Sequence, residues 1–390
     1  MGNSSRCARR RVIPGDGPGG PTQRGRAAVV AGTLGRVGIF GMGLLGGSVA
    51  LALKEHGLAS EVHGYDLDAS ALDTALALGV VDRAHPTLGA WIADLDVGVL
   101  AAPVGALAAL AAAVAPWASP RTRLWTDVGS VKGAVVPALE RALPRFVGGH
   151  PMAGRETPGV QHAFAGLLES AVWVVTPTAD SDPDAVAALL DLVRGVGAYP
   201  FEIAPGEHDR LVARVSHVPY LLAVALTLVV GRHAERERLL FLSAGGFRDL
   251  TRVASGAPAM SRDMVAENRE SVRAALTEVR AVLDELEAAL DAPDAMLARA
   301  REAKIARDAL PVVKRALLPP LFDLVVALPD RPLELARLAT LLGDAGVNIR
   351  DIEVLKVRGT GGEAMRVGVG SDDDRERARA VLEARGYRVR

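Results

Sequence analysis

Two histidines occupy settings suited to proton chemistry. His150 lies in Gly148-Gly149-His150-Pro151-Met152-Ala153-Gly154, a lone imidazole among small residues with a proline behind it. His217 lies in Ser216-His217-Val218-Pro219, inside an apolar helical stretch. A neutral imidazole is the natural acceptor for a hydroxyl proton near neutral pH. Ser130, in Asp127-Val128-Gly129-Ser130-Val131-Lys132, adds a hydroxyl. Arg248 and Arg252, in Gly245-Gly246-Phe247-Arg248-Asp249-Leu250-Thr251-Arg252, fall at i and i+4 on one helical face. Guanidinium groups clamp carboxylates bidentately. Each group alone has a plainer reading. His150 would be a structural histidine at a strand end, His217 a core histidine bonded to a backbone carbonyl, and the arginines a solvated charged face.

The elements that must position these groups are legible around them. Arg36-Val37-Gly38-Ile39-Phe40-Gly41 reads as a buried strand, and Ser48 to His56 as a helix stopped by Gly57. Further strands are expected at EVHGYD, LDVGVLAAP, TRLWTDVG, FVGG, AVWVVTP and YPFEI, with helical stretches between most of them. That alternation predicts a mostly parallel sheet covered on both faces. His150 is expected just past the carboxyl end of the parallel strand FVGG, and Ser130 past the end of TRLWTDVG, on the rim where ligands bind in open α/β sheets. Gly148 and Gly149 are expected to leave room there for a ring-sized substrate, and Pro151 to fix where the chain leaves.

Between the first strand and helix stands Gly41-Met42-Gly43-Leu44-Leu45-Gly46-Gly47-Ser48. It matches G-x-G-x-x-G in the right context for a dinucleotide. Gly41 permits the tight turn, Gly43 lets the backbone approach a pyrophosphate, and Gly46 lets helix and strand pack closely. The helix N-terminus faces the phosphates. Met42, Leu44 and Leu45 complete the loop, and Pro103 closes the strand LDVGVLAAP on the same rim. Asp66 ends the second strand, 25 positions after Gly41. Its carboxylate accepts from ribose hydroxyls and repels a 2′-phosphate, so NAD is expected rather than NADP. The alternative is a glycine-rich turn with a surface aspartate.

The rest of the chain changes texture twice. From Pro205 the strands vanish, and His208 to about Ala306 reads as helix with a break near Ser255-Gly256-Ala257-Pro258. Its longest apolar run, Leu221 to Val230, is too short to span a bilayer. Apolar faces of that length point to a homodimer. After prolines at 311, 319 and 320, the last ~70 residues read strand, helix, strand, strand, helix, strand, the split β-α-β pattern of ferredoxin-like folds. The expected division is a disordered leader over 1–34, a dinucleotide-binding domain over 35–203, a helical substrate and dimerisation domain over 204–308, a linker over 309–320 and a small terminal domain over 321–390. The leader is basic and rich in Gly, Pro and Ser, with a transit peptide or an early start codon as alternatives.

The totals exclude other classes. A net charge of −1 over 390 residues gives no pull toward nucleic acid or anionic membrane. The single cysteine, Cys7, allows no internal disulfide, which suits a reducing, cytoplasmic setting. No metal-ligand cluster stands out, and none is expected.

GMGLLGGS, DVGSVK, GGHPMAG, SHVP and GGFRDLTR, in this order, resemble the prephenate/arogenate dehydrogenases of tyrosine biosynthesis over about residues 36 to 306. The terminal unit, with PDRPLELARLATLLGDAGVNI, resembles an ACT domain, a small-molecule-sensing module. The resemblance implies NAD-dependent oxidative decarboxylation of prephenate, or of arogenate. His150 would then draw off the ring hydroxyl proton, with Ser130 orienting His150 and the hydroxyl. Arg252 would bind a substrate carboxylate, and His217 would line the pocket from the helical domain. Tyrosine would be the effector at the ACT unit.

Three departures bear on this. Arg155, followed by Glu156, stands where many members carry a small hydroxyl residue; both are candidate substrate contacts. Met260-Ser261-Arg262-Asp263 stands where many have a tryptophan before an Arg-Asp pair. Leu333 replaces the glycine that gives an ACT ligand close backbone access, which leaves assembly as an alternative role for that unit. Two other classes compete: a non-catalytic nucleotide and amino-acid sensor, and a reductase of the β-hydroxyacid type, which would not need the GGHPMAG and SHVP pair.

Overall fold

A computed structural model describes residues 34–154, 157–256, 258–309, 322–329, 331–355 and 363–389. The expectations for residues 1–33, Arg155, Glu156 and most of the linker lie outside the described residues. Strands β1 (Arg36–Phe40), β2 (Glu61–Tyr65), β3 (Arg83–His85), β4 (Val97–Leu100), β5 (Leu124–Asp127), β6 (Phe146–Pro151), β7 (Val172–Thr176) and β8 (Tyr199–Glu202) form one sheet. Their order is β3-β2-β1-β4-β5-β6-β7-β8. Every neighbouring pair is parallel except β6 with β7. The strand side chains divide between two cores. One packs under helices Leu44–Glu55, Ala69–Ala77 and Pro183–Gly195, the other under Leu107–Val114 and Val135–Ala142. Chain order reverses between β1 and β4, and that reversal opens a crevice at their carboxyl ends.

The strand FVGG is longer than its sequence suggests. β6 pairs with β5 only through Phe146 and Val147, then runs on through Gly148 to Pro151 against antiparallel β7, with His150 opposite Val174. His150 therefore sits inside a strand extension and not in a loop after it. Gly148 and Gly149 do not leave open space either. A Cβ on Gly148 would lie 2.4 Å from Thr176 Oγ1 and 2.6 Å from Val136 Cγ2. One on Gly149 would lie 2.8 Å from both the Asp127 carbonyl and Trp173 Nε1. The glycines let the extension lie flat on its neighbours.

β8 ends at Glu202, and helix begins at Pro205. Pro205–Val212, a wide π-helical turn Ala213–His217 and Val218–Gly231 make one continuous helical run of 27 residues with mean hydropathy 1.6 over its most apolar window. By length and composition it could cross a membrane, a length the ten-residue apolar run does not disclose. Yet its first half carries buried His208, Asp209 and His217, and the first two bond His150 and Lys132 of the dinucleotide domain. Helices Arg236–Leu242, Gly245–Thr251, Pro258–Glu267, Arg269–Ala288 and Pro293–Asp308 follow. Their common core is small, built on Ala213, Val218, Val272 and Ala275. Val229, Phe241, Leu242 and Leu250 are two-thirds or more exposed.

The terminal unit has β9 (Phe322–Leu328), a helix Glu334–Asp344, β10 (Ile349–Leu355), β11 (Glu363–Val369), a helix Asp372–Ala384 and β12 (Arg388–Val389). Its antiparallel sheet runs β10-β11-β9-β12 over a core of its own. Leu333 precedes the first helix with φ +70°, in the left-handed region that favours glycine.

Candidate active site

The glycine loop fits a dinucleotide. Gly41 turns at φ +120°, and a Cβ there would strike the Ala101 carbonyl at 2.5 Å. A Cβ on Gly46 would lie 2.0 Å from the Gly41 carbonyl, so the helix can approach the loop only as glycine. Gly43 is the contrast: nothing lies within 4 Å of its Cβ position, which leaves open space at the N-terminus of Leu44–Glu55 for a phosphate. Asp66 is tied into the same loop. One carboxylate oxygen accepts from Met42 N at 2.6 Å and the other from Asp68 N at 2.8 Å. Each oxygen keeps a lone pair for a ribose hydroxyl. Met42 turns its side chain into the core, so only its backbone faces the cradle, and Leu44 is likewise buried. Pro103 is exposed on the loop after β4. Helix Pro258–Glu267 packs over that loop, bringing Asp263 against Gly105.

Beside the crevice lies a buried polar chain. Asp127, at the end of β5, and Lys132 are both fully buried and form an ion pair. Lys132 Nζ also donates to the Gly149 carbonyl at 2.8 Å, while Asp127 accepts from Gly129 N at 2.8 Å and Gly149 N at 3.2 Å. His150 Nδ1 lies 2.8 Å from His208 Nε2, and His208 Nδ1 lies 2.8 Å from Asp209 Oδ1. Asp209 accepts from the backbone N–H of Lys132 at 2.8 Å and of Gly133 at 2.7 Å. Its own carbonyl accepts from Asn268 Nδ2 at 2.9 Å, and that amide is also 3.2 Å from His217 Nδ1. His217 Nε2 is buried with no hydrogen-bond partner among the described residues.

Burial keeps His150 and His217 neutral. Burial, reinforced by the charges His208, Lys132 and His217 would carry, pushes the His150 pKa well below its ordinary value. Burial likewise pushes His217 down to about 4. Lys132 is also lowered by burial, opposed by Asp127. A neutral, dry imidazole with one nitrogen anchored is a base with its other nitrogen available.

The structure brings two of the expected catalytic and substrate residues, His150 and His217, into one buried polar network. Ser130 is half-buried on the loop after β5 but makes no hydrogen bond to His150; His208 holds that place. Arg248 and Arg252 are exposed, and Arg252 opens a separate turn, Arg252–Ser255, packed against Val218–Gly231. His208, Asp209, Asn268 and the Asp127–Lys132 pair were not among the expected site residues. The available signal was Glu207-His208-Asp209-Arg210, adjacent titratable groups one turn into a helix opened by Pro205.

Comparison with known proteins identifies the family. The family description "Prephenate dehydrogenase, nucleotide-binding domain" matches residues 49–201, and "Prephenate dehydrogenase, dimerization domain" matches 204–299. A prephenate dehydrogenase of Bacillus subtilis is 34% identical over 354 residues, covering 89% of this chain and 95% of the relative. The crystal structure of prephenate dehydrogenase from A. aeolicus, in complex with hydroxyphenyl propionate and NAD+, is 32% identical with a TM-score of 0.68. It matches over 71% of this chain and 98% of its own. A Synechocystis arogenate dehydrogenase structure is 28% identical with a TM-score of 0.61, over 70% of this chain and 99% of its own. By sequence, fold and the glycine cradle that accepts NAD, this chain is a member of the prephenate dehydrogenase family.

Proposed function

We propose that this chain oxidises and decarboxylates prephenate to 4-hydroxyphenylpyruvate with NAD, in tyrosine biosynthesis. The observation that carries the reading is His150: an imidazole kept neutral by burial and neighbouring cationic groups, anchored at Nδ1, on the rim of the dinucleotide crevice. NAD, when bound, takes up the hydride from the hydroxyl-bearing ring carbon. His150 accepts the hydroxyl proton at Nε2 as the C–O bond becomes a ketone. The ring carboxylate leaves as carbon dioxide, its electron pair enters the ring, and the ring oxygen recovers a proton from His150 as the phenol forms. Atoms and charge balance with one NADH and one carbon dioxide per turnover.

The substrate carries two carboxylates, and the roles assigned here follow its charge. Arg252 binds a substrate carboxylate, Arg155 adds a carboxylate contact or sets the side-chain preference with Glu156 beside it in sequence, and Ser130 orients the substrate hydroxyl. His217 closes the pocket from the helical side. The exposed apolar residues Val229, Phe241, Leu242 and Leu250 support burial against a second copy, making the enzyme a homodimer. The strand and helix order of residues 322–389 supports an ACT-like unit that responds to tyrosine, and the single cysteine suits a cytoplasmic enzyme. Arogenate is the second reading, supported by the Synechocystis structure. Absorbance of NADH after mixing protein, NAD and either compound tests the activity, and kcat/KM for the two ranks them. No NADH with either leaves a sensor. A tyrosine-insensitive rate and melting temperature would remove the effector role.

A further inference from the structure

We propose that His208 and Asp209 are positioning residues that set the tautomer of His150 and take up its charge during turnover. This rests on His150 being the base, as proposed above. Asp209 is fixed first: it accepts from Lys132 N, Gly133 N and His208 Nδ1. A carboxylate only accepts, so His208 must carry its proton on Nδ1 and present a bare Nε2. That nitrogen is 2.8 Å from His150 Nδ1, so His150 must place its own proton there. The consequence is a His150 Nε2 with a free lone pair in every ground-state molecule. Without the pair, the other tautomer would put a proton where the substrate hydroxyl must donate.

The same chain answers an electrostatic difficulty. His150 is surrounded by groups that oppose its protonation: burial, Lys132, His217 and His208 itself. Asp127, which accepts from the adjacent Gly149 N, is matched by Lys132. When His150 Nε2 takes the substrate proton, the Nδ1 proton can move along its hydrogen bond to His208 Nε2. The cation then sits on His208, in contact with the Asp209 carboxylate. The reverse shift returns the proton when the phenol forms. No proton enters or leaves from outside, so the balance is closed within the three side chains and the substrate oxygen.

Two substitutions separate the two halves of the role. In His208→Gln, the amide oxygen can accept from His150 Nδ1 while its NH2 donates to Asp209, so the tautomer is kept but no proton can move. In His208→Leu both are lost. His208→Leu should lose about 10²–10⁴ in kcat, the usual worth of positioned proton transfer, with KM for prephenate and Kd for NAD held within about threefold. His208→Gln should recover at least about tenfold of that loss, and the acid limb of its kcat–pH profile should move relative to the unmutated enzyme. A merely structural role would lower the melting temperature without moving that limb. Histidine labelled with ¹⁵N in the unmutated protein, with the His150 signal assigned from its disappearance in His150→Asn, should show His150 protonated at Nδ1 and bare at Nε2. The opposite tautomer overturns the proposal whether or not His208→Leu folds. So does a His208→Leu enzyme with unchanged kcat and pH profile, provided His150→Asn is inactive. An active His150→Asn would instead remove the assignment of the base.

Discussion

Replacing Lys132 by methionine tests the buried network at its most sensitive point. Lys132 and Asp127 are fully buried and paired, and the ammonium also holds the Gly149 carbonyl next to His150. Methionine keeps the length and removes the charge, which leaves Asp127 with only the Gly129 and Gly149 N–H groups. Breaking a buried pair by removing one partner costs about 3–5 kcal/mol. For a domain of this size each kcal/mol shifts Tm by roughly 2–4 °C, so a fall of about 6–20 °C is expected by calorimetry. A second readout has a fixed sign. Lys132 is one of the charges that disfavour protonated His150, so its removal raises the His150 pKa. The acid limb of the kcat–pH profile should move to higher pH, with activity lost earlier on acidification. The double variant Asp127→Leu with Lys132→Met should regain part of the stability, since no unpaired charge remains, but not all, because two backbone donors lose their acceptor. A Lys132→Met enzyme melting within about 2 °C of the parent, with its acid limb unmoved, would refute both the energetic reasoning and the charge coupling.

Gly43→Ala should leave Tm within about 1 °C, since nothing occupies its Cβ position, yet weaken NAD binding at least about tenfold in a titration, roughly 1.4 kcal/mol, because the methyl enters the phosphate space. Leu333→Gly should stabilise the terminal unit by about 1 kcal/mol, read as slower amide exchange in Glu334–Asp344, because a 71% exposed leucine held at φ +70° loses strain and little packing. Stability should fall on acidification between pH 6.5 and about 4, where the unfolded chain binds a proton that folded His217 refuses. That group alone contributes about 3 kcal/mol, present above pH 6.5 and lost by about pH 4; urea titrations across this range should show a smaller loss for His217→Gln.

Legibility followed the range of the interactions. The glycine loop was readable because its requirements are local: a turn at Gly41, open space at Gly43 and close packing at Gly46 lie within six residues. The alternation of strands and helices was readable for the same reason. The setting of His150 differs from the expected open rim, because Gly148 and Gly149 look empty in sequence and are filled in space by Trp173, Thr176 and Val136. The contacts of His208 and Asp209 are not legible in sequence. They reach residues 58 to 77 positions away, and no spacing rule within the helix announces them. The orienting role of Ser130 is implied by the family resemblance, while the side chain in contact with His150 Nδ1 is His208, from the other domain.

These contacts place His150, the proposed base, at a junction of two domains and not within either. A strand end alone can offer an imidazole to the crevice, but its inner nitrogen would then meet water or apolar side chains. Water could bond either tautomer of the ring and fix neither; an apolar wall would leave the nitrogen unsatisfied. Helix Pro205–Val212 supplies a third surface, with a histidine to meet the ring and a carboxylate to hold that histidine. The same carboxylate grips Lys132 N and Gly133 N, on the segment that carries Ser130. Docking of the helical domain and anchoring of the His150 ring thus share one set of hydrogen bonds. Any substitution that loosens the junction should lower kcat before it lowers NAD affinity, because the glycine cradle belongs wholly to the first domain.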